Sequence, residues 1–297
     1  MFIAGIDGGG THTRIELRDS ENRFVCRREY GPFNLNSIGE DAFRCLLRQV
    51  FTDCVDMAQC ASICFGAAGI SNPLVSRILS EELDASGFRG IWKLCGDQEI
   101  ALRGAMDTPG VAVIAGTGSI CFGKNAAGET ARSGGYGHLI DDGGSGYALG
   151  RDVLSAAVRQ YDGRLEGDAI QTAVFARLGC QEPGAIVSFV YSPSTDKSMI
   201  AKFSGIALEL AQQGDPRALD ILERGAEELS FLVRAVQEKL SLEGCPIALL
   251  GGLIQEDNVY RRTVAQRLES LGTVIAPGHD ALWGAAQIAW EHYKEKE

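Results

Sequence analysis

Residues 1–20 read MFIAGIDGGGTHTRIELRDS. An apolar run ends in Asp7, three glycines follow, and beyond Thr11 and Thr13 the chain resumes as an alternating strand. Glycine costs backbone entropy in a strand, so three in succession mark either a tight turn or a place where something approaches the backbone closely. An ordinary hairpin turn satisfies the first alternative. The choice depends on whether the pattern recurs.

It does recur. Residues 2–7, 13–18 and 23–29 are a predicted three-strand meander, with the turn DSEN between its second and third strands. A helix is expected near 41–53, a buried strand at 61–65, a helix near 73–84, a short strand at 91–95 and a helix near 98–106. At Val111 the pattern starts again, about 110 residues later: an apolar strand 111–115, the turn Gly116-Thr117-Gly118-Ser119, a returning strand 120–123 and a third strand 129–132. A strand, Gly/Thr turn and strand occurring twice is what a duplicated domain leaves behind. Predicted helices over 149–161, 168–178, 197–213 and 216–240 come next, then a strand 246–250 ending in Gly251-Gly252, a helix near 258–271, a strand 273–276 and a last helix from about Ala281. Strands alternating with helices in each half mean α/β layers, and two similar halves imply a cleft between them. No Pro- or Ser-rich linker separates the halves, so a tight hinge is expected near 109–111.

Composition narrows the function. The chain has 297 residues with 45% hydrophobic content, enough for about two domains with real cores. It carries 28 basic and 39 acidic residues, a net charge of -11, with the cations scattered rather than clustered, so no nucleic-acid partner is expected. No apolar run is long enough for a membrane span and no signal-peptide pattern precedes the first strand, which makes the cytoplasm the expected compartment. The nine cysteines lie mostly in apolar contexts and read as buried thiols; Cys60 and Cys64 lack a matching second pair for zinc.

DGGGTHT, AGTGS and LLGGL each follow an apolar strand directly. Backbone N–H groups in glycine turns, with threonine and serine hydroxyls beside them, are the donors that hold phosphate oxygens in an acidic protein. Two other nucleotide motifs fail: residues 118–125 nearly spell a P-loop but end in Asn125 and continue as a strand, and no GxGxxG joins a strand to a helix.

DGGGTHTR, AGTGS, GGYGHLIDDGGSGYALGRD and ALLGGL, in this order, resemble the sugar kinase/Hsp70/actin superfamily. The DGGG form with a GDEGSGYxxGR-like segment is similar to the BadF/BadG/BcrA/BcrD ATPase family, which includes N-acetylglucosamine kinases. The resemblance runs from Ile3 to about Ala289. It implies duplicated actin-like, ribonuclease H-like ATPase domains around a central cleft. The first would span residues 1–110, with the C-terminal helix at about 284–297 packing back on it, and the second residues 111–283. It implies ATP and Mg²⁺ as cofactors and phosphorylation of an amino sugar, N-acetylglucosamine first, at its 6-hydroxyl. It also implies a homodimer.

Carried over by position, the resemblance makes Asp7 the acid that holds Mg²⁺, largely through water, and puts Gly9, Gly10, Thr11 and Thr13 along the triphosphate. Gly116, Thr117, Gly118 and Ser119 match the second phosphate loop, and Gly251 and Gly252 the adenosine loop. Asp97 matches the general base and a sugar contact; Asn34, Gly69, Gly137, His138 and Asp142 match positions at the sugar. The chain departs from the family pattern at Asp141, where glycine is usual, and at Gly143, where glutamate is usual, while Tyr136 stands where many relatives have tryptophan.

Each residue also has a plainer reading. Asp7 could be a solvated turn acid, Asp97 a helix cap, His138 a structural hydrogen-bonding group, and Asp141 with Asp142 a hydrated loop. Among functions, the alternatives are an activator-type ATPase of a dehydratase or reductase, a kinase of N-acetylmuramate or glucosamine, or a non-catalytic binding module. The activators hold an iron–sulfur cluster with a cysteine just ahead of the second phosphate loop; here that position is Ala115, and Cys121 follows the loop instead.

Overall fold

The structure, a computed structural model, describes residues 1–54, 57–67, 70 and 72–296. The chain begins with the expected meander, β1 (Phe2–Gly8), β2 (Thr13–Asp19) and β3 (Phe24–Tyr30). It continues through α1 (Leu35–Ile38), α2 (Glu40–Cys54), a single 3-10 turn (Met57–Gln59), β4 (Cys60–Ala67), α3 (Pro73–Ala85), β5 (Ile91–Gly96) and α4 (Asp97–Ala105). A second meander follows, β6 (Gly110–Ala115), β7 (Ser119–Lys124) and β8 (Thr130–Gly134). Then come α5 (Gly146–Tyr161), α6 (Ala169–Leu178), α7 (Gly184–Val190), α8 (Lys197–Ala201), α9 (Ser204–Gln212), α10 (Pro216–Leu240), β9 (Pro246–Leu250), α11 (Val259–Leu268), β10 (Thr273–Ile275) and α12 (Ala281–Lys294).

Two compact units result: residues 1–107 with 277–297, and residues 108–276. Their sheets have the same plan. The first runs β3-β2-β1-β4-β5 and the second β8-β7-β6-β9-β10, each an antiparallel meander extended by two parallel strands. The repeated Gly/Thr turn of the sequence therefore occupies the same place, after the central strand, in both sheets.

In the first unit, β1 alternates between two covered faces. Ala4 and Ile6 join the core under α2 and α3, to which α2 contributes Phe43, Leu46, Leu47, Val50 and Phe51 at helical spacing. Ile3 faces the other way with Cys64, Cys95 and Ile100, and α12 covers that face with Ala285, Ile288 and Ala289. Close approach decides the fit here: a Cβ on Gly5 would lie 2.2 Å from the Ala286 nitrogen, and one on Gly284 would lie 2.0 Å from the Ile100 carbonyl oxygen. Where the chain re-enters the first unit, Gly278 N–H donates to Ala105 O at 3.0 Å and His279 N–H to Gly104 O at 2.8 Å, which ties the start of α12 to the end of α4.

In the second unit, α10 is the backbone of the core. Asp215 caps it by accepting from Arg217 and Ala218 N–H, Pro216 opens it, and Ser241 ends it in the left-handed region at φ 51°. The single helix expected over 197–213 is interrupted between Ala201 and Ser204. The break lets Ile200 and Phe203 both enter the core, and the absence of a side chain on Gly150 lets the Ile200 carbonyl pack against α5. Helical spacing alone does not register such a bend, because Ile200, Phe203 and Ala207 also suit one continuous face. The short helices α1 and α7 were not expected from the sequence either.

Candidate active site

In the first unit, the C-terminal ends of β1, β4 and β5 lie at one sheet edge, since Asp7 pairs with Gly66 and Ala67 with Gly96. The glycine turn after β1 is tied down on both sides. Gly9 N–H donates to His12 O at 2.9 Å, Phe33 N–H donates to Gly9 O at 2.9 Å, and the Phe33 ring fills the space where Gly8 has no side chain. Gly10 and Thr11 remain exposed at its tip. Thr13 does not: it is fully buried and its hydroxyl donates to Gly31 O at 2.7 Å. In this way it holds the segment after β3 against β2. That segment leads directly to Asn34, whose carbonyl accepts from Ser37 and Ile38 and opens α1. Gly69 lies outside the described residues.

Asp97 is the first residue of α4. The cap position belongs to Gly96, which makes no side-chain bond, while the Asp97 carboxylate accepts from the N–H of Gln98 at 3.0 Å. The residue keeps solvent-exposed surface. Even so, the protein crowding its carboxyl, and then the negative charge of Asp7, raise its pKa above the ordinary 3.8. A carboxylate made more basic in this way suits a proton acceptor better than a passive cap does.

The residue that sequence reasoning missed is Arg14. Its Nη2 lies 2.5 Å from Asp7 Oδ2, and the β1–β2 register places the two directly opposite each other. The signal was present in the hairpin: with Gly8 paired to Thr13, Asp7 must face Arg14.

In the second unit, the turn after β6 is laced to the loop before α5. Gly116 N–H closes the turn on Gly118 O, and the carbonyls of Gly116 and Thr117 accept from Gly146 and Tyr147. Ser119 N–H donates to Asp142 Oδ1 at 3.1 Å and Ser119 Oγ–H to Gly143 O at 2.7 Å. Both donors of Ser119 are thus engaged internally. Among the described residues, no hydrogen bond takes up the N–H groups of Thr117 and Gly118. Tyr260, fully buried on α11, donates to Gly144 O at 2.7 Å and supports the same loop from beneath.

The turn after β9 abuts this one. Gly251 has φ 89°, and a Cβ there would sit 2.4 Å from the Ala115 carbonyl oxygen; Leu253 N–H donates to that same oxygen. Gly252 is exposed with open space around it. Gly116–Ser119, Gly251–Gly252 and Asp142 are therefore brought together in one place.

The loop that carries Gly137 and His138 stands out from this cluster. Gly137, at φ 91°, accepts from Ile140 and Asp141 N–H, and the His138 ring packs edge-on against Tyr147 at 4.7 Å. Leu139 and Ile140 are left 84% and 81% exposed. Beside Gly143, where the family pattern has glutamate, the Glu228 side chain comes within 2.9 Å of the position a Cβ would take.

The donors present fit a magnesium ion. Among the described residues no cluster of three or more His, Cys, Asp or Glu could hold a metal by itself. Asp7 instead offers hard carboxylate oxygen beside a turn of exposed backbone, and Mg²⁺ is commonly held by one or two carboxylates together with waters and substrate phosphates. Among the described residues no helix is long and apolar enough to cross a membrane.

The chain is similar along its length to two kinases. It is 31% identical to the N-acetylmuramic acid/N-acetylglucosamine kinase of Clostridium acetobutylicum, covering 97% of this chain and 98% of that protein. It is 29% identical to the N-acetyl-D-glucosamine kinase of Dictyostelium discoideum, covering 97% of each. A crystal structure from Chromobacterium violaceum, described as a candidate N-acetylglucosamine kinase, superposes with a TM-score of 0.76 at 26% identity over 97% of this chain and 98% of that one. The family model matches residues 4–289, so the chain belongs to the BadF/BadG/BcrA/BcrD ATPase family.

Proposed function

We propose that this protein is an ATP-dependent amino-sugar kinase that transfers the γ-phosphoryl group to the 6-hydroxyl of N-acetylglucosamine. The observation that carries the reading is Asp97, a carboxylate of raised basicity that shares the strand edge of the first glycine turn. The relatives' substrates, N-acetylmuramate and N-acetylglucosamine, support the acceptor class.

Phosphoryl transfer asks little covalent chemistry of a protein; it asks for positioning and for charge stabilisation. Asp97 accepts the proton of the attacking hydroxyl. The backbone of Gly9–Thr11 and of Gly116–Gly118 supplies donors to the phosphates, and Gly251–Gly252 lets the nucleoside pass close to the backbone. Asp7 holds Mg²⁺ largely through water, and that ion, when bound, offsets phosphate charge. Asn34, with Gly137 and His138, contacts the sugar, Asp142 holds the turn after β6, and the acting species is a homodimer in the cytoplasm.

The test is a panel of N-acetylglucosamine, N-acetylmuramate and glucosamine read by ADP release. Turnover confined to N-acetylglucosamine supports the reading, and ADP release unaffected by any sugar overturns it. Nothing favours an activator-type ATPase: Cys121, the cysteine nearest the second loop, is buried within β7 rather than placed at a surface where two subunits share a cluster.

A further inference from the structure

Arg14 lies in a row of alternating charges on the first unit. Its Nη2 holds Asp7 Oδ2 at 2.5 Å, and its Nη1 stands 4.0 Å from Asp280 Oδ2. That same Asp280 oxygen is held by Arg27 Nη1 at 3.0 Å, while Arg27 Nη2 binds Glu16 Oε2 at 2.7 Å and Arg18 binds Glu16 Oε1. Three carboxylates, Asp7, Asp280 and Glu16, thus alternate with three guanidinium groups, and the row is neutral as it stands. The β1–β2 and β2–β3 registers set the row, pairing Asp7 with Arg14 and Glu16 with Arg27.

The members differ in freedom. Asp280 is fixed from two sides, because its Oδ1 caps α12 by accepting from Trp283 N–H at 2.8 Å while Arg27 holds its Oδ2. Glu16 is fully buried beneath two arginines. Arg14 is half-buried with a long side chain, one good partner and a second within a short reach. The Asp7 side chain is 14% exposed, so charges gathered around it are weakly screened. A divalent cation arriving there meets a carboxylate already neutralised, and the guanidinium and the cation repel each other.

We infer that Arg14 is the resident counter-ion of the Asp7 site, a positioning residue that Mg²⁺ displaces, and that Asp280 is the second seat to which its guanidinium moves. The inference rests on the reading of Asp7 as the metal-binding acid. Arg14 then sets the metal affinity from below: it holds the Asp7 side chain in place while the site awaits its ion, and it weakens binding by the free energy of its own displacement. Asp280 lowers that cost by offering a partner already anchored at the start of α12.

The experiment is a MgCl₂ titration of the full chain with a non-hydrolysable ATP analogue at fixed concentration, followed by calorimetry. Removing the internal competitor in Arg14→Gln should lower the Mg²⁺ midpoint about fivefold, the scale of coupling between residues in one charge network. Asp280→Asn, which retains the helix cap, should raise the midpoint by a similar factor, because Arg14 loses its alternative seat. In the double variant the Asp280→Asn effect should vanish. An unchanged or raised midpoint in Arg14→Gln overturns the inference, as does an Asp280→Asn effect that persists without Arg14. Should Arg14→Gln fold poorly, Arg14→Met replaces it; it keeps an aliphatic stem without the charge, so its midpoint should fall likewise and should no longer respond to Asp280→Asn. Asp7→Asn separates the two levels. If it abolishes the metal dependence, the Arg14 results judge Arg14 alone; if the metal dependence survives, the reading of Asp7 falls and this inference falls with it.

Discussion

The backbone N–H of Ser119 donates to the buried carboxylate of Asp142 at 3.1 Å, joining the turn after β6 to a loop twenty-three residues further along. This bond tests a residue whose role sequence resemblance placed elsewhere, at the sugar. If Asp142 chiefly holds the turn, Asp142→Ala should cost roughly 1–3 kcal/mol of stability and raise the ATP KM, leaving the sugar KM nearly unchanged. Asp142→Asn, which keeps an accepting oxygen, should restore most of both. Denaturant melts with separate ATP and sugar titrations check this, and a rise in the sugar KM alone returns Asp142 to the sugar.

Asp97→Asn keeps the shape of the side chain and its bond from Gln98 N–H but removes the base. The kcat should fall about 10²–10⁴-fold, the usual contribution of a general base, with ATP binding nearly intact. Steady-state kinetics and nucleotide titration measure the two halves. Near-normal turnover would reduce Asp97 to a helix-end residue and move the search for a base to Asp141 or Asp142.

The raised pKa of Asp97 gives a pH dependence of definite sign. A base must be ionised to act, so the acidic limb of kcat/KM should lie above the ordinary aspartate value of 3.8. Asp7 contributes to the shift through its charge, so Asp7→Asn should move that limb to lower pH while reducing overall activity. For stability the same shift is unfavourable above the raised pKa and absent below 3.8. Asp97→Asn should therefore not lower the Tm near neutral pH, and any gain should fade on acidification. Profiles of kcat/KM and Tm against pH decide both points.

Gly284→Ala should destabilise the first unit. Its new methyl would press into the Ile100 carbonyl and the backbone of Gly104, neither of which is a flexible side-chain end. Overpacking of this kind costs about 1–3 kcal/mol and, with rigid backbone on both sides, the upper part of that range is expected. A Tm equal to that of the parent would mean that α12 docks more loosely than this geometry implies.

Asn34→Ala should mainly raise the KM for the sugar, by roughly tenfold if one or two hydrogen bonds are lost, with kcat less affected. Unchanged sugar kinetics would remove Asn34 from the acceptor site.

Much of the architecture was legible in the residues. The period-2 apolar strands and the Gly/Thr turns after Asp7 and Ala115 act within a few residues of themselves, so the residues already pointed to two α/β halves of one plan. The glycines of DGGGT, AGTGS and LLGGL likewise announced backbone brought close to something. What local sequence could not decide was which polar side chains face outward from those turns. Thr13 and Ser119 look like phosphate donors in one dimension, yet Thr13 bonds Gly31 and Ser119 bonds Asp142 and Gly143, partners supplied only when distant segments pack together. Arg14 lies between these cases, since its pairing with Asp7 follows from hairpin register whereas its approach to Asp280 requires α12 to return across β1. A hydrogen bond or an ion pair belongs to two residues at once, and the second of them is chosen by the tertiary fold.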